Sequence, residues 1–176
     1  MLKKLKKLQN EHDLRISAFV LMGNHFHLLA LTPRESIDRI MYFFMKEVTK
    51  EMQKKTGRIN KIFGGRYKGC LIDNPQYLLN VYKYIYRNPI AAGVSERVEL
   101  YPFSSLNREL PISMDEIMPM NMAVSKLVEL EWLNTSFEDD EVKSVKFGIT
   151  RNKFQYLKSR ITRKPIYPYL EVTDLK

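Results

Sequence analysis

Apolar residues recur along this chain with two different periods, and the switches between them mark out its elements. Leu2, Leu5 and Leu8 fall at three-residue steps with lysines between them, which predicts a short surface helix over residues 2–12. "LRISAFVLM" (14–22) is rich in β-branched and aromatic residues and predicts a strand. Gly23-Asn24 is a turn signal, and "HFHLLALT" (25–32) predicts the returning strand of a hairpin. A helix then opens at "TPRES", where Thr32 or Ser36 suits the cap and Pro33 the first turn. Ile37, Ile40, Met41, Phe44, Val48 and Met52 form its apolar stripe, and Gly57 ends it. Its outward face carries Lys46, Lys50, Lys54 and Lys55.

"FGGRYKGCLID" (63–73) begins glycine-rich and is expected to run into a strand; it has neither the Walker nor the dinucleotide spacing of a phosphate loop. "DNPQYLLNVYKYIYRNP" (73–89) predicts a helix with Asp73 or Asn74 as cap and Pro75 near its first position. Pro89 disfavours helical geometry at Asn88, so the helix is expected to stop there. A short segment, "YPFSSL", follows. Beyond residue 111 one amphipathic helix is expected within "AVSKLVELEWL" (123–133). The expected architecture is α+β: a domain at 1–108 with an antiparallel sheet, and a mostly helical extension at 109–176.

Composition narrows the class. With 44% hydrophobic and 28% charged residues among 176, the chain is an ordinary globular sequence. No run approaches the length of a membrane span, and "MLKKLKKLQN" lacks the apolar core of a secretory signal, so no membrane partner is expected. A single cysteine, Cys70, excludes an internal disulfide framework and any multi-cysteine metal site; a reducing cytoplasm is the expected compartment.

Charge adds more. Residues 1–70 hold 15 Lys/Arg against 6 Asp/Glu, while 71–110 balance at four each and 111–176 at ten each. The excess of +9 therefore belongs to the first 70 residues, and a concentrated basic face attracts polyanions by counterion release. A merely solvated basic surface is the alternative. Residues 142–164 mix aromatics with Lys and Arg, and are expected to pair with the acidic stretch 111–141 rather than with nucleic acid.

His25 and His27 are two apart on an expected strand and so point to the same face. Neutral imidazoles ligate divalent metals, and oxygen ligands can complete such a shell; two surface histidines are the plainer reading. Tyr84 and Asn88 are four apart on the 73–89 helix and share a face with Val81. A phenol and an amide oxygen there could address one phosphate, or the tyrosines could simply fill a core edge.

"FVLMGNHFHLLA", "FGGRYKGCLIDNPQYLLNVYKYIYRNPIAAGV" and "YPFSSL", in that order over residues 12–107, resemble the single-tyrosine HUH transposases, in particular the REP-associated group. Gly23 stands where the family pattern has proline. The resemblance implies a ferredoxin-like antiparallel sheet with helices on one face. It also implies metal-dependent cleavage and rejoining of single-stranded, hairpin-containing DNA through a 5′-phosphotyrosine. On that basis Tyr84 is the nucleophile, His25, His27 and Asn88 hold magnesium or manganese, and Arg66 and Lys68 contact the DNA backbone, with Lys46 and Lys50 as further DNA contacts. A homodimer is compatible with it. The family begins with a strand before its first helix, and this sequence starts inside that helix; either residues from 111 onward or a second chain fill that place, or the chain is a truncated, inactive relative. Two rivals stand beside the enzyme: a DNA-binding relative that does not cleave, and a basic RNA-binding module, for which no aromatic RNP pattern is present.

Overall fold

The computed structural model describes residues 1–107, Ile112 and residues 125–168. Its elements are α1 (Leu2–His12), β1 (Arg15–Leu21), β2 (Phe26–Leu31), α2 (Ile37–Thr56), α3 (Pro75–Ala91), a 3-10 turn at Val98–Leu100, α4 (Lys126–Asn134) and α5 (Asp139–Ile149). The class is α+β. β1 and β2 are antiparallel, from Arg15 opposite Leu31 to Leu21 opposite Phe26. The turn closes with the Met22 N–H donating to the His25 carbonyl at 2.8 Å. On the other edge of β1, Val20 bridges Ser104, the Leu21 N–H donates to Phe103 and the Ser105 N–H donates to Phe19, so "YPFSSL" runs beside β1. Among the described residues no backbone pairs with the outer edge of β2, and none of 125–168 adds a strand there.

Helices cover both faces of this hairpin, not one. Ile16 and Phe19, with Leu21, Phe26, Leu28 and Ala30 of both strands, pack against Leu5 and Leu8 of α1 and Ile40, Met41, Phe44 and Val48 of α2. Ala18, Val20 and Leu29 pack the other way, against Val81, Ile85 and Tyr86 of α3, Leu133 of α4 and Val145 of α5. The reason lies in β1, where five consecutive residues from Ile16 to Val20 are buried. A strand apolar on both sides needs cover on both. A bulge between Ile16 and Ala18 shifts the alternation by one, so these two residues serve opposite cores.

Two further expectations change. Residues 63–73 form no strand; only Leu71 is paired, bridging Lys153 in parallel with its N–H on Asn152 and its carbonyl receiving the Phe154 N–H. Gly64, Gly65 and Gly69 give a pleated surface nothing to pack, and Phe63 and Tyr67 turn instead to the α1–α2 core. The second change is that α3 continues through Pro89 to Ala91. Its start is as expected, with Pro75 in the first turn and the Asn74 side chain accepting from the Gln76 N–H at 2.8 Å.

Candidate active site

β2 and α3 bring the expected site residues together. His27 lies opposite Val20, so its ring is on the α3 side of the sheet. It meets His25 edge-on at 4.9 Å between centroids and Tyr84 edge-on at 6.1 Å. His25 precedes the first residue of β2 and is exposed, yet its ring is fixed. Its Nδ1 lies 2.7 Å from the Asn24 side-chain oxygen, which only accepts, so Nδ1 is the donor there and Nε2 is the nitrogen left for a ligand. Asn24 was legible only as a turn residue; its place directly before His25 is the signal for this second duty.

His27 is held neutral. Burial, then the neighbouring His25, push its pKa down to about 4, with the Asn88 side chain beside it pulling the other way. Its Nε2 is buried and has no hydrogen-bond partner. An orphaned ring nitrogen in a polar corner is an open position for a ligand.

Asn88 is oriented by the proline that follows it. Pro89 has no N–H, so the Ile85 carbonyl one turn back lacks its usual helical donor. The Asn88 Nδ2 reaches that carbonyl at 3.4 Å and the Tyr84 carbonyl at 2.7 Å. Both donors of the amide are thereby engaged with α3 itself, and its oxygen is the end left for the histidine side. This explains how α3 passes through a proline and why an asparagine stands before it.

Tyr84 differs from Tyr82 and Tyr86 of α3 by what its hydroxyl lacks, and from Tyr77 by its place beside the histidines. The Tyr82 hydroxyl donates to Glu129 at 2.6 Å, and that of Tyr86 bonds Ser105 at 2.9 Å and the Ser17 carbonyl at 3.3 Å. Tyr77 is packed against Phe154 and Tyr156. Among the described residues the Tyr84 hydroxyl makes no hydrogen bond, and burial raises its pKa, so it rests as a neutral phenol beside His27.

The residues fit a divalent ion: two imidazole rings, one with an orphaned buried nitrogen, and an amide oxygen. No group of three or more His, Cys, Asp or Glu side chains occurs among the described residues.

The expected DNA-contacting cations are spread more widely. Arg66 is tied to Asp38 at 2.6 Å in the first turn of α2, where the Tyr67 hydroxyl also donates to Asp38, and Lys68 is exposed nearby in sequence. Lys46 lies over the Tyr42 ring at 5.5 Å and Lys50 is 3.7 Å from Glu47. Both stand on α2, across the sheet from His27 and Tyr84. No helix among the described residues is long and apolar enough to cross a membrane. Compared with protein-family models, curated proteins and solved structures, the chain matches none of them.

Proposed function

We propose that this protein cleaves and rejoins single-stranded DNA through a covalent bond to Tyr84, on a ferredoxin-like frame of the HUH type. The observation that carries the reading is the meeting of an orphaned His27 nitrogen, the anchored His25 ring and the Asn88 amide with the one α3 tyrosine flanked by them whose hydroxyl is unengaged. His25, His27 and the Asn88 oxygen would hold magnesium or manganese. When bound, such an ion supplies Lewis acidity to the scissile phosphate.

The rest of the chemistry belongs to the chain. The Tyr84 oxygen forms a bond to phosphorus and gives its proton to solvent, and the 3′-oxygen of the preceding nucleotide leaves and is protonated. The phosphotyrosine keeps the energy of the broken ester, so a 3′-hydroxyl can reverse the step without a nucleotide cofactor. His27, neutral at physiological pH, offers a lone pair there rather than a competing proton. The basic first 70 residues draw the polyanion to the domain. Partners on this reading are single-stranded DNA carrying a hairpin, and a second copy of the chain.

A non-cleaving DNA-binding relative is the second reading. It is favoured by the absence, among the described residues, of a carboxylate or third histidine joining the pair. The two separate in one experiment: incubation with labelled single-stranded DNA hairpins and manganese, then a search for an adduct that survives boiling in detergent. The enzyme reading expects the adduct in the native chain and none in Tyr84→Phe, with DNA binding retained in both. An adduct undiminished in Tyr84→Phe would sink it.

A further inference from the structure

Residues 158–165 form a small hairpin that the site above does not use. Lys158 and Pro165 are bridged antiparallel, the Ser159 N–H donates to the Lys164 carbonyl at 2.8 Å, and the Arg163 N–H donates to Ser159 at 3.0 Å. Inside the turn the Ser159 Oγ accepts from the Ile161 and Thr162 amides, and Arg163 takes the left-handed conformation at φ 58°. Its base is fastened to α5. Ser144, fully buried, donates to the Ile166 carbonyl at 2.8 Å and accepts from the Leu157 N–H at 3.0 Å, while the Ile166 N–H bonds the Leu157 carbonyl. The shape of the hairpin is thus set before any partner arrives.

What it presents is four basic side chains within seven residues. Lys4, Arg97, Lys143 and Lys153 each meet a carboxylate elsewhere on the surface. Lys158, Arg160, Arg163 and Lys164 are exposed and make no ion pair among the described residues. The acidic residues described in 125–141 are engaged elsewhere: Glu129 with Tyr82 and Lys126, Glu131 with Arg97, Glu138 in the α5 cap and Asp140 with Lys143. The expected pairing of the basic segment with this stretch is thus formed by Lys143 with Asp140, and not, among the described residues, by the four cations of the hairpin. Between the two arginines Ile161 is 93% exposed.

Four uncompensated cations on a short convex loop call for a dense array of negative charge. Single strands are gripped in concave tracks with aromatic platforms, and residues 157–166 contain no aromatic side chain. A membrane surface needs more apolar area than one isoleucine. A protrusion with cations on both arms and an apolar tip matches a groove between two phosphate rows. We infer that the 158–165 hairpin is a second nucleic-acid contact, seated on the paired stem of a DNA hairpin, with its cations on the two phosphate rows and Ile161 in the groove. This rests on the reading of the chain as a DNA-processing protein, but concerns stem binding, not cleavage.

The test compares the full chain with Arg160→Ala/Lys164→Ala and with Ile161→Ala. Binding is followed to a labelled DNA hairpin with a single-stranded tail, and to the tail alone, over a salt series. The double variant is expected to lose about tenfold in affinity for the stem-bearing DNA, and its log affinity–log salt slope to fall by about two, one for each phosphate contact removed. Binding to the tail alone and the thermal midpoint are expected to stay as in the native chain. Ile161→Ala is expected to weaken stem binding at every salt with no change of slope. Unchanged stem affinity and slope in the double variant would overturn the inference. So would an equal loss on the tail alone, or a loss confined to phosphatidylserine vesicles. An adduct that persists in Tyr84→Phe would remove the cleavage reading and leave the stem measurement standing.

Discussion

Asn88 repairs the helix that Pro89 interrupts: its Nδ2 bonds the Tyr84 carbonyl at 2.7 Å and attends the Ile85 carbonyl that the proline leaves without an amide. One side chain thus holds the nucleophile's helix together and turns its oxygen to the histidine pair. These two duties can be separated. Asn88→Ala should cost about 1 kcal/mol in urea unfolding and also abolish manganese-dependent adduct formation. In a Pro89→Ala background the stability cost should shrink, because residue 89 again supplies an N–H. The adduct should remain absent. An adduct restored in the double variant would show that the asparagine matters only to the helix.

Gly148 of α5 has no room for a side chain. A Cβ there would lie 2.6 Å from two ring carbons of Phe154, whose ring is buried against Tyr77 and Tyr156. Gly148→Ala should therefore destabilise the protein by about 1–3 kcal/mol, despite the gain in helix propensity. A chemical denaturation midpoint equal to or above the native one would contradict this.

Ser144 joins α5 to both arms of the 158–165 hairpin. Ser144→Ala strands the half-buried Leu157 N–H and Ile166 carbonyl and should cost about 1 kcal/mol. Amide exchange should rise over residues 157–166 more than over α3. Uniform exchange in both segments would place the serine's role elsewhere.

Lys83 gives the fold a pH signature. It is 6% exposed, with its Nζ over the Trp132 and Phe137 rings at 5.1 and 5.0 Å. Burial, then the Arg87 charge, bring its pKa down to about 8, while Glu141 acts in the opposite sense; unfolded, it stays near 10.5. Between those values the unfolded chain binds more protons than the folded one, so this residue's contribution to stability rises with pH and is lost as pH falls toward 8. The stability of Lys83→Met minus that of the native chain should be greatest below pH 8 and decline toward pH 10.5. A difference flat across that window would mean that the two states hold the lysine alike.

The hairpin, α2 and α3 were legible because their signals are local: a Gly23-Asn24 turn, a Ser36 cap, a Pro75 start. The segment 63–73 was misread because a strand needs a neighbouring edge, and no sequence pattern says that only Leu71 finds one. Helix cover on both faces was written in "ISAFV", which does not alternate, but the bulge that turns Ile16 and Ala18 apart is a pairing decision made with β2. α5 went unread because Glu138, Asp139, Asp140 and Glu141 look like an acidic run; they are a capping box and a first turn, with Val145 facing the core. In the site, spacing brought out His25 with His27 and Tyr84 with Asn88. What spacing could not show is that the hydroxyls of Tyr82 and Tyr86 are occupied by Glu129 and Ser105, the first of them far along the chain.

α3 is gripped from two directions, by the strands on one side and by α4, α5, Phe154 and Tyr156 on the other. A chain cut near residue 108 would bare Asn80 and Lys83, together with the aromatic flank of Tyr77, while leaving His25, His27, Tyr84 and Asn88 in the sequence. Such a fragment would carry every chemical group of the site without the clamp that aligns them. The region whose pattern says least about catalysis therefore decides whether the catalytic helix can be transplanted at all.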